Sequence, residues 1–124
     1  MNLWQIVNEA TSSIIPGASQ FRNDVESYIE TESCPEALRA IIHQLVTHVL
    51  SISGNSPLRI LAKRFTGIIL LQLKVNNGGC RKQVEAELDR IRPLAEALGG
   101  CLYVTHNHNA ECTISFTFLN KASH

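Results

Sequence analysis

Histidines and cysteines are the side chains of this sequence best suited to metal binding or nucleophilic catalysis, but their spacing favours neither. His43 and His48 are five positions apart, whereas two ligands on one face of a helix stand at i and i+4. His106 and His108 can share one side of a strand, but no third ligand accompanies them. The sequence contains neither G-x-S-x-G nor H-E-x-x-H. We therefore predict no metal site and no catalytic residue.

The cysteines show no arrangement that predicts zinc or disulfide chemistry. They form no C-x-x-C pair, and a chain of this size can fold on its own core without bridges. We therefore expect free thiols. The cysteines are Cys34, Cys80, Cys101 and Cys112.

A polar turn, VNNGG at residues 75–79, ends the apolar run IILLQLKV. Asparagine and glycine both tolerate a positive φ, so local chemistry alone predicts a tight turn here. The amide of Asn77 can also accept and donate hydrogen bonds, so a ligand-binding turn is a second interpretation. Which interpretation applies depends on the elements around the turn.

Size and composition indicate one globular domain over residues 1–124. The chain is 44% hydrophobic and 18% charged, and its formal net charge is +0. This charge balance argues against direct nucleic-acid binding, which requires a basic excess to neutralise phosphates. Because the sequence begins directly at a predicted helix, we expect it to be a piece excised from a larger protein.

The sequence also predicts no direct membrane contact. No apolar stretch approaches the roughly 20 residues that span a bilayer, and the N-terminus lacks a basic-then-apolar signal pattern. We expect a cytoplasmic domain, or the soluble part of an inner-membrane protein.

Hydrophobic periodicity predicts the order αβαββαββ. Helical spacing appears in NLWQIVNEATSSII, with Asn2 as N-cap, in SCPEALRAIIHQLVTHVLSI, with Ser33 as cap, and in KQVEAELDRIRPLAEALGG, where Pro93 predicts a kink or a late helix start. In the third helix, alternating acidic and basic residues predict a solvated surface. Strand patterns appear in VESYI (25–29), LRILAKRF, GIILLQLKV, CLYVTHN and CTISFTFL.

These elements predict an α+β fold. We expect a two-layer sandwich, with three helices on one face of a mixed sheet of about five strands. LRILAKRF and GIILLQLKV should form a hairpin around Thr66 and Gly67, and Gly99 and Gly100 should end the third helix.

The order and several stretches resemble the catalytic, ATP-binding domain of sensor histidine kinases. This is the Bergerat (histidine-kinase ATPase-like) fold, shared with DNA gyrase and MutL. RPLAEALGGCLYVTHNHNAECTISFTFLN looks like the last helix and closing hairpin of that family, and CPEALRAIIHQLVTHVL looks like its nucleotide-site helix. The resemblance covers nearly the whole chain and implies the same fold.

The departures from the family pattern concern the residues that hold nucleotide. Where the family has two asparagines on the helix, the second of which holds magnesium, this sequence has Gln44 and His48. The family's D-x-G-x-G turn becomes V-N-N-G-G, with Asn77 replacing the aspartate that binds adenine and Gly79 at the first glycine. The glycine-rich lid that wraps the phosphates is reduced to CRKQVEAE.

Each departure weakens nucleotide binding for a physical reason. A neutral amide makes a weaker hydrogen bond than a carboxylate, imidazole is a poor ligand for magnesium, and the lost glycines remove a backbone cradle for phosphate. Three losses of about 1–3 kcal/mol each would move a micromolar site toward millimolar affinity. The resemblance therefore implies a vestigial ATP and magnesium site at Gln44, His48, Asn77 and Gly79, without a working cofactor.

The same resemblance implies a role in bacterial two-component signalling. We expect a degenerate, non-catalytic scaffold or docking domain of a phosphorelay protein, bound to a response-regulator receiver or effector domain or to an adjacent phosphotransfer domain. Two alternatives stay open: a divergent but functional ATP-binding domain, and an unrelated α/β interaction domain. The expected partner-binding residues are His48, Ile52, Gly78, Cys80, Arg81 and Lys82.

Overall fold

Three helices and five strands follow one another in the order αβαββαββ, as the sequence predicts. The computed structural model describes residues 2–12, 21–27, 29–31, 35–53, 57–75, 81–106 and 111–119. Its elements are α1 (Leu3–Thr11), β1 (Phe21–Asn23), α2 (Pro35–Ser53), β2 (Leu58–Phe65), β3 (Ile68–Val75), α3 (Arg81–Ala97), β4 (Cys101–His106) and β5 (Cys112–Leu119).

The strands form one mixed sheet in the order β1-β2-β3-β5-β4. β1 runs parallel to β2, and all other neighbours are antiparallel. The predicted β2–β3 hairpin is confirmed, with Leu58 opposite Val75 and Phe65 opposite Ile68. Gly67 in its turn has a φ of 75°, the left-handed conformation that glycine adopts without strain.

The helices cover one face of this sheet, which confirms the predicted two-layer sandwich. α2 packs between α1 and α3, and alternate residues of the strands are buried against the helices. Phe116 and Phe118 on β5 are both fully buried, with ring centroids 5.1 Å apart. The core therefore lies between the sheet and the helix layer.

The first strand differs from the prediction. β1 is Phe21–Asn23, and the predicted strand VESYI (25–29) is not a strand in the part of it that the structure describes. Val25 and Ile29 are buried, but the backbone turns between them, with the Ile29 N–H donating to the carbonyl of Glu26. The apolar spacing correctly predicts that Val25 and Ile29 are buried. The prediction of a strand was wrong, because a turn can bury two side chains at the same spacing.

The N-cap of α1 is confirmed and ties the helix to this turn. Asn2 Oδ1 accepts a hydrogen bond from the Gln5 backbone N–H at 3.1 Å, and its Nδ2 donates to the carbonyl of Ser27 at 2.6 Å. The Leu3 N–H donates to the carbonyl of Ile29. The start of α1 is therefore fixed by contacts distant in sequence.

α3 ends in a Schellman motif at the predicted glycines. The N–H of Gly100 donates to the carbonyl of Ala95, that of Gly99 donates to the carbonyl of Glu96, and Gly99 has a φ of 73°. Pro93 lies inside α3, which is one continuous helix rather than one that begins at the proline.

Within the described ranges, no helix is long and apolar enough to cross a membrane.

Candidate functional site

The candidate site lies where α2 and α3 pack side by side. Nδ1 of His48 on α2 lies 2.9 Å from Oε2 of Glu87 on α3, and the two side chains are 32% and 27% exposed. His48 is thus partly buried between two helices. Its side chain is the one that the family resemblance places at the magnesium position.

The Glu87 oxygen has an unusual environment. Oε2 is buried and accepts no well-aligned hydrogen bond within the part of the chain that the structure describes, although the imidazole nitrogen is close. The contact is therefore an ion-pair approach, attractive when the imidazole carries its second proton. A buried carboxylate oxygen without an aligned donor costs free energy.

Gln44 lies one helical turn before His48 and on the same side of α2. It is half-buried, whereas His43 is exposed, and the Thr47 hydroxyl donates to the backbone carbonyl of His43 at 2.7 Å. The structure therefore brings Gln44 and His48 to one helix face, as i and i+4 spacing requires.

The turn residues of the predicted vestigial site, Asn77 and Gly79, lie outside the described residues. Their distance from Gln44 and His48 therefore stays a prediction. The structure does define the length of this connection: β3 ends at Val75 and α3 begins at Arg81, so residues 76–80 are all that joins them.

Four of the six predicted partner-binding residues, including His48, belong to the same two helices. Ile52 is in the last turn of α2, and Arg81 and Lys82 are in the first turn of α3. The side chains of these three residues, and the whole of Gly78 and Cys80, lie outside what the structure describes. At a rise of about 1.5 Å per residue, Arg81 is about 9 Å along α3 from Glu87.

Sequence reasoning missed Glu87, which the alternating charges of α3 placed on a solvated surface. The residue is instead half-buried against His48. Helical periodicity contains a signal for this: Glu87 is next to Leu88 and four residues before Ile91, both of which are buried. Periodicity within α3 does not predict which residue of another helix Glu87 contacts.

The described cysteines are chemically distinct. Cys101 is exposed, with Sγ 3.2 Å from Oγ1 of Thr117, whereas Cys112 is buried. Burial raises the pKa of the Cys112 thiol, because desolvation disfavours the thiolate. In the described ranges, no three His, Cys, Asp or Glu residues are arranged to hold a metal ion.

Comparison with known proteins identifies the fold through structure rather than sequence. No protein-family model and no curated protein sequence matches the chain. The catalytic domain of the histidine kinase ThkA, in a nucleotide-free form, superimposes with a TM-score of 0.77 at 12% identity, over 97% of this chain and 93% of that one. This chain has the fold of a histidine-kinase catalytic domain.

Two further histidine kinases superimpose equally well. AdeS of Acinetobacter baumannii gives a TM-score of 0.80 at 11% identity, over 98% of this chain and 66% of that one. The kinase domain of the E. coli osmosensor EnvZ gives 0.77 at 10% identity, over 100% and 89%. The predicted histidine-kinase ATPase-like fold is therefore confirmed.

One structural neighbour was solved with a partner. ThkA in complex with the response regulator TrrA matches with a TM-score of 0.80 at 12% identity, over 98% of this chain and 41% of that one. At these identities the likeness concerns the fold.

Proposed function

We propose that this domain is a non-catalytic docking domain of a bacterial two-component phosphorelay, which binds a response regulator or a neighbouring domain and does not hydrolyse ATP. The observation that carries the proposal is the carboxylate of Glu87 beside His48, at 2.9 Å. It adds a negative charge to the predicted magnesium and phosphate position.

This charge acts against nucleotide binding in two ways. A partly desolvated carboxylate repels the phosphates of ATP, because like charges in a medium of reduced dielectric interact more strongly than in water. Glu87 can offer one oxygen to magnesium, but the imidazole beside it is a poor ligand for this ion. The observed pair therefore reinforces the losses at Asn77 and in the shortened connection.

The docking role is supported by the retained fold and by the kind of partner that a structural neighbour binds. ThkA, which shares the fold, has been solved with a response regulator. The proposed docking surface combines the α2 face around His48 and Ile52 with the start of α3 at Arg81 and Lys82. Two basic residues at this place would suit an acidic partner surface.

A titration with ATP and magnesium tests the loss of nucleotide binding. We expect no saturable heat signal and no saturable amide shifts up to about 1 mM nucleotide. The EnvZ kinase domain serves as a comparison under identical conditions. Saturable binding in the micromolar range by the present domain would overturn the proposal in favour of a divergent, working ATP site.

A paired variant makes the titration more informative. Replacing both His48→Asn and Glu87→Gln removes the added charge and restores an amide at the predicted magnesium position. If these two residues are the main obstacle, affinity rises by tenfold or more, and if the missing lid dominates, it changes little. In either case the proposal requires that the unmodified domain shows no saturable binding of ATP.

The docking role is tested separately with receiver domains. We expect amide shifts in the α2 and α3 segments on addition of a cognate receiver domain, and a loss of affinity in Lys82→Glu. Arg22→Glu, on the edge strand β1, is the matched control for the same change in charge. Equal loss in both variants, or shifts confined to the sheet, would contradict this placement of the docking surface.

A further inference from the structure

The side of strands β2–β5 that faces away from the helices, here called the open face, carries a row of exposed apolar side chains. Phe65, Ile68 and Leu119 are 54%, 41% and 43% exposed. They are neighbours in register: Phe65 is opposite Ile68, and Ile68 is opposite Leu119. Three large apolar side chains thus form one continuous row across three strands, rather than isolated surface residues.

The apolar surface of the open face extends from this row toward the middle of the strands. Leu70 is opposite Lys63, and Leu61 is opposite Gln72, and both leucines are half-buried on the open face. Tyr103 on β4 is 43% exposed on the same side, opposite Ser115. A patch of neighbouring apolar side chains with polar groups among them is typical of an interaction surface.

The charged side chains that strands β2–β5 contribute to the open face have one sign. Every charged residue in β2, β3, β4 and β5 is a cation, although the whole chain has a formal net charge of +0. On the open face these cations are Arg59, Lys63 and Lys74, and Arg59 donates to Asp24 beside the sheet. The balancing carboxylates lie in the helices and connections.

We propose that the open face is a docking surface for an acidic amphipathic helix of a partner protein. The apolar row would receive the apolar stripe of the helix, and Lys63 and Lys74 would pair with its flanking carboxylates. Three neighbouring strands at about 4.8 Å spacing make a platform comparable in width to a helix of about 10 Å diameter.

The sign of the charge selects this occupant over a second copy of the chain. Two open faces brought together would bury Lys63 and Lys74 of both copies, and strands β2–β5 carry no carboxylate to pair with them. Like charges in a desolvated contact are unfavourable, whereas carboxylates on the occupant are attracted. The surface lies on the opposite side of the sheet from His48 and Glu87, so the inference goes beyond the proposed function and does not depend on it.

The test uses a designed helical peptide of about 18 residues, roughly five turns, with leucines at i, i+3, i+4 and i+7 and flanking glutamates. Its comparison is the same peptide with lysine in place of every glutamate. The binding of each is followed through the amide shifts of the ¹⁵N-labelled domain. We expect the acidic peptide to shift amides of β2, β3 and β5, and to bind at least about tenfold more tightly than the basic one.

Matched variants separate the apolar and ionic parts of the interaction. Lys63→Glu should lower the affinity for the acidic peptide by about tenfold, whereas Arg90→Glu, the same charge reversal on α3, should change this affinity by less than about twofold. Ile68→Ser should also lower the affinity by about tenfold. Leu94→Ser on α3 is its control, since Leu94 is 40% exposed and Ile68 is 41% exposed.

Three outcomes would overturn the inference: no amide shifts, equal binding of the two peptides, or shifts confined to the helix layer. Sedimentation of the domain alone tests the other possible occupant, a second copy of the chain. A dimer that Ile68→Ser dissociates would assign the face to a second copy. Because receiver-domain binding is measured on α2 and α3, failure here leaves the proposed function intact, and the reverse also holds.

Discussion

Glu87 of α3 and His48 of α2 meet across a helix interface, with the carboxylate Oε2 at 2.9 Å from the imidazole Nδ1. The pair joins two helices that are separated in the chain by the β2–β3 hairpin. It also places an acidic group beside the residue at the predicted magnesium position.

A double-mutant cycle measures the strength of this pair. We expect His48→Ala and Glu87→Ala to show a coupling of about 0.5–1 kcal/mol, because both side chains are partly exposed and their contact lacks the alignment of a hydrogen bond. The free energy of unfolding from urea titrations of the four proteins gives the coupling. A value of zero would mean that the contact adds nothing to the α2–α3 interface.

Gly100 and Gly67 should respond very differently to alanine. A Cβ on Gly100 would lie 1.6 Å from the carbonyl oxygen of Thr117, and backbone cannot move aside as a flexible side chain can. A Cβ on Gly67 meets nothing within 4 Å, although the φ of +75° is strained for alanine. We expect Gly100→Ala to destabilise by about 3 kcal/mol or more, and Gly67→Ala by about 1 kcal/mol.

Thermal and urea unfolding of the two glycine variants provide the measurement. Similar losses in both would contradict the close approach of the α3 terminus to β5.

Replacing Pro93 with alanine should stabilise the protein. Pro93 is exposed inside α3, where it cannot donate to the carbonyl of Asp89 one turn earlier and its ring crowds that carbonyl. Alanine restores the donor without loss of packing, so we expect a gain of about 1–3 kcal/mol in the free energy of unfolding. An unchanged or lower urea midpoint would contradict this cost of the proline.

The two described thiols should differ in reactivity. Burial raises the pKa of Cys112, so at a given pH less thiolate is present to react, and access is also restricted. In variants that each keep a single cysteine, iodoacetamide should modify Cys101 at least about tenfold faster than Cys112 at pH 8. The rate at Cys112 should keep rising with pH beyond the range in which an ordinary thiol ionises, because burial raises the pKa of its thiol. Equal rates at the two thiols would contradict the burial of Cys112.

Local chemistry was enough to predict most elements of this fold. The stretches LRILAKRF and GIILLQLKV predicted the two strands to within one residue, and Thr66 and Gly67 predicted the hairpin turn between them. Asn2 and Gly99 marked helix ends for the same reason. The strand expected at residues 25–29 failed because Val25 and Ile29 are buried from a turn rather than from a sheet.

The sequence by itself determined most of the elements, their order and the family they resemble, since periodicity, caps and turns are encoded within a few residues of one another. Only the tertiary structure decided that Glu87 lies against His48, and that the apolar and basic residues of β2, β3 and β5 share one open face. Such relationships join positions far apart in the chain. They depend on how helices pack and strands pair in three dimensions, which local propensity does not specify.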